Sequence, residues 1–326
     1  MRDDWQPTTA ISALRLRANV LDCLRRFFWA RDVLEVETPL LGHACGTDAQ
    51  LDFFSAQYCA PPIQETLFLQ TSPEFAMKRL LAAGSGSIYQ ICKAFRNGES
   101  GRYHNPEFTM LEWYRVGFTL TDLMDEIAEL IRTVSAPYRT LEAPQRSSYQ
   151  DVFVQYTGLD PLVFCVEAYS ACAQAKNQPE ALNLCGDYHV LWLDYIFSHF
   201  IQPFLGANAV CLIYGYPACQ SSLARLNLQN PLVTERVEVF IDGIELGNGY
   251  YELSDAQEQK SRFEAEIAER QLKDRPDVVM DERLLAALET GLPECAGVAI
   301  GIDRLLMVLS ASKNLSEVIN FPFDRA

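Results

Sequence analysis

Between Arg96 and Pro106 the chain reads RNGESGRYHNP, with two arginines, a glutamate, a histidine, two asparagines and two glycines. The stretch is too polar to be core. Guanidinium forks meet phosphate oxygens two at a time, and the aromatic ring of Phe108 just beyond can stack on a base. This composition suits a triphosphate. A second stretch, Glu235 to Tyr250, reads ERVEVFIDGIELGNGY and carries Glu238 and Glu245 around an Asp-Gly pair. Two carboxylates brought close there either share a divalent cation or line a solvated hairpin.

Both stretches need strands to hold them. Ile88 to Phe95 and Phe108 to Tyr114 are rich in β-branched and aromatic residues and predict two strands with the charged loop between them. Asp242-Gly243 between alternating runs predicts a tight hairpin. With those two residues as the turn, Ile241 faces Ile244, Phe240 faces Glu245 and Glu238 faces Gly247. Glu238 and Glu245 then share a face as diagonal neighbours, with Cβ atoms roughly 5.5–8 Å apart.

Ile11 to Ala30 carries a helical apolar stripe through Leu14, Ala18, Leu21, Leu24 and Phe28. Arg15, Arg17, Arg25, Arg26 and Arg31 lie on its other faces, an arrangement that is ordinarily just solvated. Val33 to Glu37 follows as a short strand stopped by Pro39, and Leu67 to Gln70 as another. Thr71 to Glu74 starts a helix with Ser72 as N-cap and Pro73 at the first position, ended by Gly84. The helix dipole alone accounts for Glu74 in that first turn. Thr121 to Val134 predicts an amphipathic helix, and Val298 to Ile300 a strand entering a helix near Asp303. Gln145 to Gly206 is mixed, with helices near Val166 to Ala175 and Asp187 to Phe200 and no motif. Its Cys185, His189, Trp192 and His199 read as core rather than as ligands.

At 326 residues and 49% hydrophobic the chain can bury a substantial core. A net charge of −16 argues against general nucleic-acid affinity, which rests on clustered Lys and Arg. Ten cysteines without a Cys-x-x-Cys pair argue against a zinc site or a disulfide framework and fit a reducing cytoplasm. The N-terminus has no apolar signal core, and no run approaches membrane-spanning length.

Phe95-Arg96-Asn97 with His104 to Thr109 and Leu111 to Tyr114 resembles motif 2 of a class II aminoacyl-tRNA synthetase of the lysyl type. Val36 to Leu40 resembles motif 1, and Gly297 to Leu306 (GVAIGIDRLL) resembles motif 3. Among such proteins the chain is most similar to the free-standing lysyl-type paralogues that modify elongation factor P. The resemblance implies an α+β fold, the class II synthetase catalytic core, with an antiparallel sheet flanked by helices. It implies one catalytic domain over residues 1–326 with a variable helical insertion at about 145–206 and no anticodon-binding module. A homodimer through the first helix and strand is implied as well.

The same resemblance implies roles for individual residues. Arg96, Asn97, Gly98, His104, Asn105, Phe108, Glu245, Leu246, Gly301 and Arg304 are expected to bind ATP, with Arg96 and Arg304 as the catalytic pair. Glu238 and Glu245 are expected to hold Mg²⁺. Ser72, Pro73, Glu74, Tyr114, Asn248, Glu252 and Ala299 are expected to form the pocket for lysine, whose two amines suit two acids. Two positions depart from the synthetase pattern. Gly98 stands where the lysyl motif has glutamate, with Glu99 beside it, and Ala299 replaces a glycine. The free-standing paralogues share this alanine and prefer (R)-β-lysine.

The expected reaction activates lysine or (R)-β-lysine as an adenylate and transfers it to a lysine ε-amino group of elongation factor P, with tRNA disfavoured. A truncated lysyl-tRNA synthetase and a catalytically idle lysine or nucleotide sensor are the alternatives. Intact Arg96, Arg304, Glu238 and Glu245 argue against idleness.

Overall fold

A computed structural model describes residues 5–326, which divide into two compact units. Among the described residues the first unit comprises 5–118 and 253–326, and the second 119–252. Among the described residues no helix is long and apolar enough to cross a membrane.

The first unit opens with α1 (Ile11–Trp29), β1 (Leu34–Glu35), β2 (Leu41–Gly42), β3 (Ser55–Ala60), β4 (Ile63–Leu69), α2 (Glu74–Ala82), β5 (Ile88–Phe95) and β6 (Glu107–Val116). In the second unit lie α3 (Leu120–Ser135), β7 (Gln145–Ser148), α4 (Tyr149–Thr157), α5 (Val166–Ala175), α6 (Ala181–Cys185), α7 (His189–Ile196), β8 (Cys211–Tyr214), β9 (Arg236–Ile241) and β10 (Ile244–Tyr251). The chain then returns to the first unit with α8 (Ala256–Leu272), α9 (Glu282–Thr290), β11 (Cys295–Gly301) and α10 (Ile302–Ser310).

In the first unit β5, β6 and β11 pair antiparallel, and β1 joins β5 in parallel. Strands β2, β4 and β3 form a separate antiparallel ribbon. Strand parity sends Tyr89 and Trp113 to one face of the larger sheet, where Phe28 of α1 stacks on Tyr89 at 4.4 Å and packs against Trp113 at 5.4 Å.

A single carboxylate locks this packing. Asp303, in the first turn of α10 and 3% exposed, accepts the backbone N–H of Thr109 at 2.7 Å and pairs with Arg17 of α1. Arg17 also donates to Val318 O at 2.9 Å. It is therefore not one of the solvated arginines that the helical pattern predicts, because its guanidinium reaches across the stripe to a buried partner.

The segment between β2 and β3 has no ladder of its own and is held from α8. The hydroxyl of Thr47, 1% exposed, donates to Glu266. Burial pushes the Glu266 carboxyl up to about 7, against the Thr47 hydrogen bond and helped by Asp48 and Glu269. Helix α2 starts one residue later than predicted, with Pro73 in the cap position, while Ser72 Oγ still accepts the Glu74 N–H at 3.3 Å.

In the second unit β10, β9 and β8 run antiparallel and β7 joins β8 in parallel. Helix α3 has a capping box between Thr119 and Asp122. Residues 145–206 are more than helices. They open with β7 and α4, which the sequence pattern missed, and end in a π-helical turn, Phe197–Ile201. Trp192 is fully buried in a core with Tyr149, Phe153, Tyr169 and Phe240, and His189 stacks on Phe164 at 4.8 Å. The Asp242-Gly243 turn forms as predicted, with φ of +50° and +74°. A Cβ on Gly243 would lie 3.1 Å from Gln202 O and from Pro203, so the close approach there requires glycine.

Replacing Asp303 by alanine strands Arg17 and the Thr109 N–H, and should destabilise the first unit by about 3–5 kcal/mol in urea denaturation, with part of the loss recovered in the Arg17→Met/Asp303→Ala double variant. Glu266 gives a pH dependence. Its carboxyl holds a proton more tightly folded, at about 7, than its ordinary 4.5. The resulting stability is full below the lower value and is lost as pH rises through the higher one. Relative to Glu266→Gln, the native chain should therefore lose up to about 3 kcal/mol between pH 5 and 7.5 in denaturant titrations.

Candidate active site

On the face of β5, β6 and β11 turned away from α1, register places Ala299 opposite Glu112, Gly297 opposite Tyr114 and Gly301 opposite Met110. Phe108 lies on the same face, four residues along β6 from Glu112. Opposite Tyr114, Glu112 and Met110 the strand β11 sets only Gly297, Ala299 and Gly301, so nothing larger than a methyl group stands beside those three side chains from that strand. The Tyr114 hydroxyl, expected to face a substrate, donates to Glu112 Oε1 at 2.6 Å. Glu112 is 2% exposed, a buried carboxylate that sequence reasoning passed over. Its signal was an acid at an inward position of an otherwise apolar strand. Cys92, whose thiol burial and then Glu112 push up to about 12, reports the same negative field.

The loop between β5 and β6 is tied at both ends. Arg96 N donates to Pro106 O at 2.9 Å, and Gly101 and His104 exchange backbone hydrogen bonds at the tip. The Arg96 guanidinium lies 5.1 Å from the centroid of the Phe108 ring, and its buried Nε has no acceptor among the described residues. Arg304, in the first turn of α10, reaches the same loop from the other side. Its Nε donates to Tyr103 O at 3.2 Å and its Nη2 meets His104 Nε2 at 2.8 Å. Glu99 sits between the two arms, 3.8 Å from Arg96 and 4.0 Å from His104. Gly98 has φ +80° with open space around it, a conformation a glutamate would adopt only under strain. The carboxylate of this loop accordingly comes from Glu99.

Asn105 is placed differently from its neighbours. Its amide donates to Glu107 O at 2.6 Å and accepts Phe323 N–H at 3.0 Å. It lines a cavity of about 600 Å³ with Arg17, Lys93, Glu107 and Thr109, on the opposite sheet face from Phe108. Asn97 stands at the foot of the loop, its N–H on Asp52 O at 2.9 Å. In α2, Glu74 accepts Lys78 Nζ on Oε1 at 2.7 Å; Lys78 is 1% exposed, so the first turn already holds a buried ammonium beside that carboxylate.

In the second unit the hairpin pairs Ile241 with Ile244 and Phe240 with Glu245, as the turn dictates. Beyond that the register shifts. A bulge at Leu246, which is 1% exposed, sets Gly247 opposite Val239 and Asn248 opposite Glu238. Glu238 therefore faces Asn248, not Gly247 as regular pairing predicts, because one extra residue reverses parity for the rest of the strand. Glu238 and Glu245 still share a face, and the bulge adds Asn248 to it.

Both Glu238 oxygens take donors. The Tyr216 hydroxyl lies on Oε2 and Arg236 Nη2 on Oε1, each at 2.6 Å. Burial raises the Glu238 pKa, Arg236 opposes it, and the nearby Glu245 raises it further. Arg236 is buried, which works against its charge, but Glu238 and then Tyr250 and Tyr216 hold it protonated, and it lies 4.6 Å from the Tyr216 ring centroid. A like-charged carboxylate pair, half-buried and with one partner already fixed, is the donor set that a hard divalent cation fits. Glu252 is 3% exposed at the end of the same strand and bridges to Ala224.

Comparison with known proteins accords with this geometry. The family model for class II tRNA synthetases of the D, K and N type matches residues 4–325. A Vibrio parahaemolyticus protein named elongation factor P–(R)-beta-lysine ligase is 45% identical over 331 residues, covering 100% of both chains. Its namesake in Vibrio cholerae is 45% identical over 325 residues, covering 99% of each, and that of Proteus mirabilis 44% over 325 residues, covering 99% of this chain and 98% of the relative. Matched over nearly its whole length, the chain belongs to the class II tRNA synthetase family.

Proposed function

We propose that this chain is an ATP-dependent ligase that activates (R)-β-lysine as an aminoacyl-adenylate and transfers it to a lysine ε-amino group of elongation factor P. The observation that carries the reading is the meeting of Arg96 and Arg304 around one charged loop, beside Phe108, in a chain that matches such ligases end to end.

In the first step the carboxylate of the amino acid attacks the α-phosphorus of ATP and pyrophosphate leaves. No protein nucleophile takes part. Arg96, with a buried Nε awaiting an acceptor, is assigned to the α-phosphate, and Arg304 with His104 to the γ-phosphate. Phe108 stacks the base, Asn97, Gly98 and Gly301 border the nucleotide with main chain, and Glu99 orients the two basic arms. Glu238 and Glu245 would hold Mg²⁺, which when bound supplies neutralisation of phosphate charge. Leu246 belongs to the same group because its bulge turns the strand; Asn105, whose amide is engaged with backbone, is retained only as a support of the loop.

In the second step the acceptor amine attacks the adenylate carbonyl, an amide forms and AMP leaves. Glu74, Tyr114, Asn248 and Glu252 are assigned to the amino acid, with Ser72 and Pro73 shaping the start of α2 and Glu112 added as the buried acid beneath Ala299. The Ala299 methyl favours the β-amino acid by narrowing the space above Glu112.

The same reading places the chain in the cytoplasm, where its ten free cysteines stay reduced. It also pairs two copies through α1 and β1. Trp29 and Leu34, 86% and 56% exposed there, support that assembly.

Incubating the chain with ATP, labelled (R)-β-lysine and either elongation factor P or tRNA should label the protein acceptor alone. Label on tRNA would install the truncated synthetase, and label on neither the idle sensor. Substituting Ala299→Gly should shift preference toward α-lysine by roughly tenfold in ATP–pyrophosphate exchange, the scale of one methyl group in a pocket. Unchanged selectivity refutes the pocket assignment.

A further inference from the structure

Arg270, in the last turn of α8, is 2% exposed, and it lies in neither the nucleotide nor the amino-acid set. A basic side chain suits a helix C-terminus, but solvent exposure suffices for that purpose. Here the whole guanidinium is engaged instead. Nη1 donates to Asp48 O at 2.8 Å and Leu51 O at 2.6 Å, Nη2 to Asp52 Oδ1 at 3.3 Å and Pro276 O at 3.0 Å, and Nε to Pro276 O at 3.2 Å. The other carboxylate oxygen of Asp52 accepts Arg275 at 2.6 Å. A turn without secondary structure of its own is thus closed around one planar fork. Its last residue does one thing more. Asp52 O accepts the Asn97 N–H at 2.9 Å, and the two residues form an isolated antiparallel bridge. Asn97 adjoins Arg96, so the foot of the charged loop rests on a turn whose shape Arg270 sets.

We propose that Arg270 is a positioning residue for adenylate formation, acting through the Asp48–Asp52 turn to fix Asn97 and the backbone from which Arg96 extends. The inference rests on the reading that Arg96 and Asn97 contact ATP. A fork that bonds three carbonyls and a carboxylate at once has fixed directions, whereas an ammonium in its place supplies charge without them. The consequence falls on nucleotide binding rather than on the amino-acid pocket, because the chain of contacts ends at the loop and does not touch Glu112 or Ala299.

The test is ATP–pyrophosphate exchange with Arg270→Lys and Arg270→Met, alongside thermal melting and hydrogen exchange of the peptide spanning residues 95–98. The expected result is a rise in KM for ATP of roughly tenfold, with KM for β-lysine changed less than twofold, and faster exchange at residues 95–98 at unchanged melting temperature in the lysine variant. A purely structural role would lower the folded fraction and leave both KM values alone, and that result overturns the proposal, as does a parallel rise in both. If Arg270→Met fails to fold, Arg270→Lys and Asp52→Asn, which keeps the carbonyl that Asn97 uses, decide the matter by the same split. Arg96→Ala separates this inference from the reading beneath it. A raised KM for ATP in Arg96→Ala with none in Arg270→Lys sinks the positioning role alone, and an unchanged KM in Arg96→Ala sinks both.

Discussion

The first unit depends on the buried carboxylate of Asp303. It joins a helix from the start of the chain, through Arg17, to the backbone of a central strand at Thr109 and to the helix on which it sits. The next residue is Arg304. A charge buried between three elements is tolerated only when its acceptors are filled, so the same contact that fixes α10 against β6 also fixes the direction in which Arg304 leaves the helix. An arginine in the first turn opposes the helix dipole. That local cost is bearable because Asp303 beside it supplies the matching negative charge, and because Arg304 finds Tyr103 O and His104 at the loop.

The second unit solves a related problem with different chemistry. A carboxylate pair on one face of a hairpin repels itself, and burial makes the repulsion worse. Arg236 and Tyr216 hold Glu238 through both of its oxygens. The pocket proposed for a diamine requires a related balance of charge. Glu74 is already matched by Lys78 and Glu112 by the Tyr114 hydroxyl, so each acid is oriented by a partner from its own unit.

Much of this was legible in the sequence where local rules decide. The strands on either side of the charged loop, the helix α5 and the Asp242-Gly243 turn follow from alternation, periodicity and turn chemistry. What escaped was set by distance along the chain. Arg17 looked solvated because its partner lies 286 residues away. Strand β7 is four polar residues, and only its pairing with β8 makes it a strand. Glu112 was hidden inside a recognised motif, and its burial depends on the glycines and alanine of β11 that no local pattern connects to it. Gly98 and Glu99 became interpretable only through a backbone angle.

The bulge at Leu246 makes the hairpin a device whose outcome depends on counting. Residues from the turn to Glu245 follow one parity, and those from Gly247 onward follow the other. Were Leu246 taken into the ladder opposite Val239, the pairing would be regular, yet Gly247 would face Glu238 and Asn248 and Tyr250 would turn to the reverse surface. No residue changes in such a slip of register, so an alignment would not record it. Natural drift and deliberate idealisation of this ribbon thus face the same hidden frame: Leu246 can be lost with these side chains still together, but it cannot be paired without parting them.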